Sequence, residues 1–285
     1  MSSDSLWRLL RSTAEGYIED DAFSRGASIA YFTLFSLAPV LLVVIAVAGM
    51  VFGREAAQGA VVGQLSGLMG RDTAVALEAM IRSASESLSG TLATILGLGA
   101  IVLAVSGVFG EVQLALNAIW KVKPSGSVVS RLVRARIASL GLVVSLGFVL
   151  VVSLAFSAAV TAFGEYLKSW LPATGLALQV VDFMISGLLI AGIFAAFYRV
   201  FPDRDLGWRD VLPGALFATL LFQGGKYLIA LYIGETGVAS SFGAAGALIV
   251  MLLWIFYSAQ IFLLGAEFSR AWTSRQRGMP KATPA

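Results

Sequence analysis

Apolar residues form six long runs in this chain, and polar residues gather in the connections between the runs. A helix that crosses a bilayer needs about 20 mostly apolar residues at a rise of about 1.5 Å per residue. Each run reaches that length, so we predict an all-α polytopic membrane protein with six transmembrane helices in a membrane domain of residues 26–272. The predicted spans are 29–52, 91–112, 137–163, 176–198, 211–233 and 243–266.

Two further segments have helical periodicity but are too polar to span a membrane. Residues 1–25 place Leu6 and Trp7 on one face of a helix, and residues 54–90 contain two short apolar stripes. We predict a cytoplasmic amphipathic helix at the N-terminus, lying on the membrane surface or against the bundle. The first extracytoplasmic loop is predicted to hold a helical insertion, either a structural lid or a gate. The polar tail, 273–285, is predicted to be disordered.

Basic residues fall mainly in alternate connections. The N-terminal arm, the loop 121–136, the loop 199–209 and the segment after residue 269 hold 15 of the 20 lysines and arginines. Because such residues collect in short cytoplasmic loops, we predict that both termini face the cytoplasm. The loop 121–136 has five basic residues and no acidic one, so we expect it to contact anionic lipids of the bilayer.

Cysteine and histidine are both absent from the chain. Disulfides and thiolate chemistry are therefore excluded, and the commonest metal ligand and general base is missing. We expect no cofactor, no metal and no enzymatic activity. A glycine-rich ATP-binding loop is also absent, so any transport would draw its energy from a gradient or from a partner.

Four polar residues within the fourth and fifth spans form one candidate substrate or coupling site. They are Lys226, Asp182, Gln223 and Gln179. A charge in the bilayer costs about 2.5–3.5 kcal/mol even on the insertion scale, so each one needs an explanation. Lys226 and Asp182 are expected at similar depth. They could form a structural ion pair, Lys226 could extend outward to water, or the pair could bind a substrate headgroup or a proton.

A second set of polar residues lies at the predicted cytoplasmic face. It comprises Glu111, Asn117, Glu267, Arg25 and Arg199. Acidic residues beside a basic interface commonly make structural pairs. The functional alternative is a cytoplasmic gate whose pairs break when an inward-facing cavity opens.

Pro39 lies inside the first span and removes a backbone hydrogen bond there, so we predict a kink at that position. Glycines and alanines are frequent in the spans. They either allow close helix packing or act as hinges in a conformational cycle.

The chain resembles the YihY/virulence factor BrkB family of bacterial inner-membrane proteins. The resemblance rests on residues 25–42, 115–120, 201–226 and 242–268, which together cover much of the predicted membrane domain. It implies six spans and a location in the bacterial inner membrane, and it implies no defined substrate.

The same family has carried a ribonuclease label. Phosphodiester cleavage normally uses histidine or clustered carboxylates that hold metal ions. This chain has no histidine and no evident carboxylate cluster, so we expect neither nuclease activity nor a nucleic-acid partner.

The leading functional hypothesis is a gradient-driven transporter or exporter of a lipid or an envelope metabolite. The alternative is a non-transporting membrane scaffold or accessory subunit of envelope machinery. A lipid-modifying enzyme would need a Lys, Asp or Glu dyad, and the sequence offers no compelling one. A homo-oligomer is compatible with the sequence, which does not decide the oligomeric state.

Overall fold

A computed structural model of the chain describes residues 3–69, 71–86, 107–122, 175–236 and 244–277. These ranges are almost entirely helical and contain no strand, which confirms the all-α prediction for this part of the chain. The helices are α1 (Ser3–Glu19), α2 (Ala22–Phe52), α3 (Arg54–Met69), α4 (Arg71–Glu86), α5 (Gly107–Ile119), α6 (Gly175–Val200), α7 (Trp208–Thr236) and α8 (Ala244–Gln276).

Two of the described helices contain segments long and apolar enough to cross a membrane. They are Phe183–Val200 in α6 and Gly246–Gln276 in α8, and α2 adds a third if its two arms make one bent span. The described ranges therefore contain two or three of the six predicted spans. The predicted span 137–163 and most of 91–112 lie outside the described residues.

Helix α7 covers the predicted fifth span, 211–233. Its side chains from residue 230 onward lie outside the described part of the structure, so the crossing of this helix stays a prediction. At the other end of the chain, α8 continues to Gln276, past the predicted start of the tail at residue 273. Residues 278–285 lie outside the described ranges.

Helix α2 bends where the sequence places a proline. Its arms, Ala22–Ala38 and Val40–Met50, meet at 47° on either side of Pro39. Proline lacks the amide hydrogen that would continue the helical ladder, and its ring displaces the carbonyl four residues earlier. These two effects are the physical cause of the bend.

Helix α8 is the central element of the described bundle, because it packs against α1, α2, α3, α4 and α7. Buried apolar side chains lie on several of its faces, including Val250, Met251, Trp254, Leu263 and Ala266. A helix that is apolar on all sides is expected in the core of a large protein or in a membrane span.

The tightest contact joins α7 to α8. A Cβ atom on Gly214 would lie 2.0 Å from the carbonyl oxygen of Gly265 and 2.1 Å from Ser269 Oγ. The two backbones therefore touch, and only glycine fits. Ser269 also donates a hydrogen bond to the Val211 carbonyl at 3.1 Å.

Helix α6 joins this contact through one tyrosine. Tyr198 is fully buried, and its hydroxyl donates to the carbonyl oxygen of Phe262 at 2.6 Å. A buried hydroxyl without a partner would cost about 1–3 kcal/mol, so this bond accounts for a polar atom in the core. Helices α6, α7 and α8 thus form one packed unit.

The predicted helical insertion at 54–90 contains the helix pair α3 and α4, which contacts both α2 and α8. Val61 of α3 and Leu77 and Ile81 of α4 are buried in the shared core. Gln58 of α3 donates to Glu78 of α4 at 3.5 Å. Residues 87–90 lie outside the described ranges.

Helix α1 packs on α8 through its small and polar face. Ser5, Leu9, Thr13 and Gly16 are buried, at the spacing of one helical stripe. Most of the predicted apolar stripe is exposed, with Trp7 69% accessible, whereas Tyr17 of the same stripe contacts Gln260 of α8. Contact of the exposed residues with the membrane surface stays a prediction.

The contact between α7 and α8 can be tested by adding one methyl group. Gly214→Ala is expected to destabilise the protein by about 1–3 kcal/mol, because the new Cβ overlaps the α8 backbone. Gly224→Ala on the same helix is the matched control, since nothing lies within 4 Å of its Cβ. Thermal unfolding in detergent measures both variants, and equal stability of the two would contradict the close contact.

Candidate functional site

Four charged side chains meet where the α1–α2 turn and the end of α5 approach α8. They are Asp20, Lys121, Glu267 and Arg270, and we call them the buried charge cluster. Lys121 Nζ pairs with Asp20 Oδ1. Arg270 lies between the two acids, 3.7 Å from Asp20 Oδ2 and 3.1 Å from Glu267 Oε2.

The turn between α1 and α2 places Asp20. Asp21 has a left-handed backbone conformation with φ 57° and ψ 34°, which ends one helix and starts the next. Aspartate is one of the few non-glycine residues that adopt this conformation with some frequency. As a result, the Asp20 side chain points into the bundle and is only 6% accessible.

The end of α5 places Lys121. The Val122 amide donates to the Asn117 carbonyl, and the Lys121 amide donates to the Ala118 carbonyl. This pattern is a Schellman motif, whose left-handed position is usually glycine. Lys121 occupies it with φ 52°, a conformation that costs about 1–2 kcal/mol for a residue with a Cβ. A glycine at this position could not pair with Asp20.

Glu267 is the most deeply buried member of the cluster, with a side-chain accessibility of 0%. It lies on α8 opposite Gly16 of α1. A Cβ on Gly16 would lie 2.6 Å from Glu267 Oε2 and 2.4 Å from Arg270 Nη2. The absence of a side chain at Gly16 therefore allows α1 to cover these charged groups directly.

Three carboxylate oxygens of the cluster accept no hydrogen bond from any described residue: Asp20 Oδ2 and both oxygens of Glu267. The two carboxyl groups nevertheless approach the same cation, Arg270, at 3.7 Å and 3.1 Å. Buried polar atoms without partners are rare in native proteins and call for an explanation.

Helix α1 is also held on α8 beside the cluster. The Tyr17 hydroxyl donates to Gln260 Oε1, and Gln260 Nε2 donates to the Phe23 carbonyl at 3.1 Å. Burial raises the pKa of the Tyr17 hydroxyl, so this donor stays protonated over the physiological pH range.

Of the predicted gate residues, the structure brings Glu267 and Arg25 to the cluster. Arg25 Nε donates to the Asp20 backbone carbonyl at 2.8 Å and so supports the turn. Glu111 is half-buried on α5. Arg199 lies at the end of α6, with its guanidinium 4.5 Å from the centre of the Trp208 ring.

Asn117 is part of a separate polar network. Its Nδ2 donates to Asp203 Oδ2 at 2.9 Å, and its Oδ1 accepts from the Asp203 amide at 2.8 Å. Gln113 adds a third bond to Asp203 Oδ1 at 3.2 Å. This network fixes the turn that follows α6 against α5, which is a structural task.

The predicted site in the fourth and fifth spans is described in part. Gln223 is buried on α7, and its Nε2 donates to the Phe183 carbonyl of α6 at 3.4 Å. Lys226 is half-buried on the same helix. The side chains of Asp182 and Gln179 lie outside the described part of the structure, so the pairing of Lys226 with Asp182 stays a prediction.

Sequence reasoning missed three acidic residues that organise this end of the bundle: Asp20, Asp203 and Asp210. Asp210 accepts from the Gly207 amide at 3.0 Å in the first turn of α7 and from Arg277 at 2.8 Å. Its position near the start of a helix is the signal that could have identified it. Asp20 and Asp203 carry no comparable signal, because their partners are distant in sequence.

A model of the protein family described as Virulence factor BrkB matches residues 13–285 of the chain. The chain belongs to this BrkB family. The match includes all four residues of the buried charge cluster.

Relatives of this BrkB-family chain include proteins named as membrane proteins. A UPF0761 membrane protein of Stenotrophomonas maltophilia is 32% identical over 89% of the chain and 58% of its own length. A UPF0761 membrane protein of Rhodospirillum centenum is 26% identical over 92% of the chain and 56% of its own length. These names and the apolar helices identify an integral membrane protein.

A third relative has nearly the same length as the BrkB-family chain. It is the ribonuclease-like protein YfkH of Bacillus subtilis, 23% identical over 96% of the chain and 98% of its own length. The chain spans a little over half of the two UPF0761 relatives, at 56% and 58%. No solved structure matches the chain significantly.

Removal of Arg270, the cation that Asp20 and Glu267 share, should lower the free energy of unfolding, because the two buried acids lose their common partner. Arg270→Met is expected to destabilise the protein by about 3–5 kcal/mol, because it leaves Asp20 and Glu267 in the bundle with only Lys121 nearby. Thermal unfolding in detergent measures the change.

Arg11→Met is the control for removing a cation from an exposed pair. Arg11 and Glu15 form an i,i+4 pair at 2.9 Å, with the arginine side chain 70% accessible, and such pairs contribute about 0.3–0.5 kcal/mol. If Arg270→Met were no more harmful than Arg11→Met, the cluster would not behave as a buried charge network.

Proposed function

We propose that this BrkB-family chain is a gradient-driven transporter or exporter of a lipid or an envelope metabolite, and that the buried charge cluster is its cytoplasmic gate. The observation that carries the proposal is the cluster itself. It joins the α1–α2 turn, the end of α5 and α8, which are far apart in sequence.

The energetics of the cluster favour a moving part over a static one. A buried ion network contributes little net stability, and well-packed apolar residues in its place are often as stable or more so. A scaffold gains nothing from Glu267 at 0% accessibility. A gate does gain, because its charges pair when closed and are hydrated when open, so the two states differ by few kcal/mol.

The bend in α2 supports the same proposal. The arm before Pro39 begins at Ala22, two residues after Asp20, and the arm after it contributes Val44, Ile45 and Ala48 to the core. A proline bend lets the two arms of a helix reorient separately, because one hydrogen bond of the ladder is already missing. Movement of the first arm would pull the α1–α2 turn away from α8.

The proposed location is the bacterial inner membrane, with both termini in the cytoplasm. Since the chain has no native cysteine, single introduced cysteines report topology without background. Glu19→Cys on α1 and Gly59→Cys on α3 are both at exposed positions. A membrane-impermeant maleimide should label Gly59→Cys in intact spheroplasts and Glu19→Cys only after lysis. Labelling of both from the same side would contradict the proposed orientation.

Transport itself is tested with a fluorescent phosphatidylglycerol in vesicles that contain the purified protein. Chemical bleaching from outside measures how fast the labelled lipid crosses. The wild-type protein is expected to accelerate crossing over protein-free vesicles.

A locked form provides the internal control. The double variant Tyr17→Cys/Gln260→Cys can be joined by a thiol-cleavable cross-linker, because the native side chains touch between α1 and α8. Cross-linking should stop lipid crossing, and reduction should restore it, while each single variant is unaffected. No acceleration by the wild-type protein would contradict lipid export and favour the scaffold alternative.

A further inference from the structure

The proposed gate contains two buried acids that approach the same cation. Asp20 is 6% accessible and Glu267 is 0% accessible, and the Arg270 guanidinium lies 3.7 Å from Asp20 Oδ2 and 3.1 Å from Glu267 Oε2. Two carboxylates that are both ionised cannot hydrogen-bond to each other, because neither has a hydrogen to donate. Beside one guanidinium in a medium of low dielectric constant, they also repel each other strongly.

The surrounding cations do not compensate the two acids equally. Asp20 has Lys121 on Oδ1 and Arg270 3.7 Å from Oδ2. Within the described part of the chain, the one ion pair of Glu267 is with Arg270, 3.1 Å away and without hydrogen-bond geometry. Lys121 is 44% accessible, so water screens much of its charge. Arg25 bonds the Asp20 backbone and not its carboxylate.

The carboxylate oxygens without hydrogen-bond partners indicate where a donor hydrogen is missing. Asp20 Oδ2 accepts no hydrogen bond from a described residue. A proton on Glu267 would supply that donor and would leave one buried carboxylate beside the buried cation Arg270. A proton on Glu267 thus gives Asp20 Oδ2 a hydrogen-bond donor, and it also removes the repulsion between the two carboxylates.

We propose that Glu267 and Asp20 hold one proton between them while the gate is closed, and that this proton is the coupling ion of transport. The proposal rests on the proposed function and deepens it. When α1 leaves α8, water reaches Glu267, and its O–H bond breaks to give a carboxylate and a hydrated proton. Closing requires a proton to return to the pair, so one proton accompanies each cycle.

The proton can be observed without any transport assay. Infrared spectroscopy of the purified protein in lipid should show the carbonyl stretching band of a protonated carboxylic acid at neutral pH. Glu267→Gln should lose this band, because the amide keeps the shape but removes the acid. Asp20→Asn should also lose it, because Arg270 then pairs with Glu267 as a carboxylate. Two variants keep the test valid if one fails to fold.

Asp210→Asn is the matched control for a buried acid at the same end of the bundle. Both oxygens of Asp210 accept hydrogen bonds, from the Gly207 amide and from Arg277, so this acid has no oxygen without a donor. The band should persist in this variant. A band that is absent from the wild type, or unchanged in both Glu267→Gln and Asp20→Asn, would overturn the proton assignment.

Coupling is measured in the lipid-crossing assay under an imposed pH gradient. For one proton per cycle, one pH unit is equivalent to about a tenfold change in the distribution of the labelled lipid. Glu267→Gln should lose this dependence. If the rate and distribution of lipid crossing do not depend on the pH gradient, the coupling role is overturned and the transport function stands. If the band is present but the protein does not accelerate lipid crossing, the proton assignment stands and the transport function is contradicted.

Discussion

The backbone contact of α7 with α8 at Gly214 and Gly265 is the constraint on which this end of the molecule depends. It fixes the rotation of α8, the helix that touches most of the others. With 3.6 residues per turn, Glu267 lies about 200° around the helix from Gly265. The same contact that turns Gly265 toward α7 therefore turns Glu267 toward α1. The hydrogen bond from Tyr198 to the Phe262 carbonyl adds α6 to this arrangement.

The opposite face of α8 follows a different physical rule. Apolar packing is strong where α6, α7 and α8 meet, whereas the contact with α1 is polar and contains unsatisfied oxygens. Regions with few buried apolar contacts open at lower free energy than the core of a protein. The bundle thus combines an apolar packed unit with a more polar boundary toward α1. A left-handed lysine at the end of α5 adds local strain on that boundary.

Part of the candidate site could be recognised from residue type alone. Glu267 follows a long apolar run, and a carboxylate in that position needs an explanation wherever the helix lies. Arg25 lies at the same predicted level of the membrane. Asp20 gives no such signal, because it lies in a polar stretch where acidic residues are common. Its importance comes from burial against α8, some 247 positions later in the chain.

The sequence by itself determined the helical class, the membrane environment and the position of the bend at Pro39. These follow from run length, apolar content and the missing amide of proline, which are local properties. Tertiary structure decided which face of α1 is buried and which charges meet. Trp7 and Leu6 have the apolar character of a buried stripe, yet Gly16 lets the opposite face approach α8 more closely. Helix rotation depends on the fit between surfaces, and one chain's hydropathy does not contain that information.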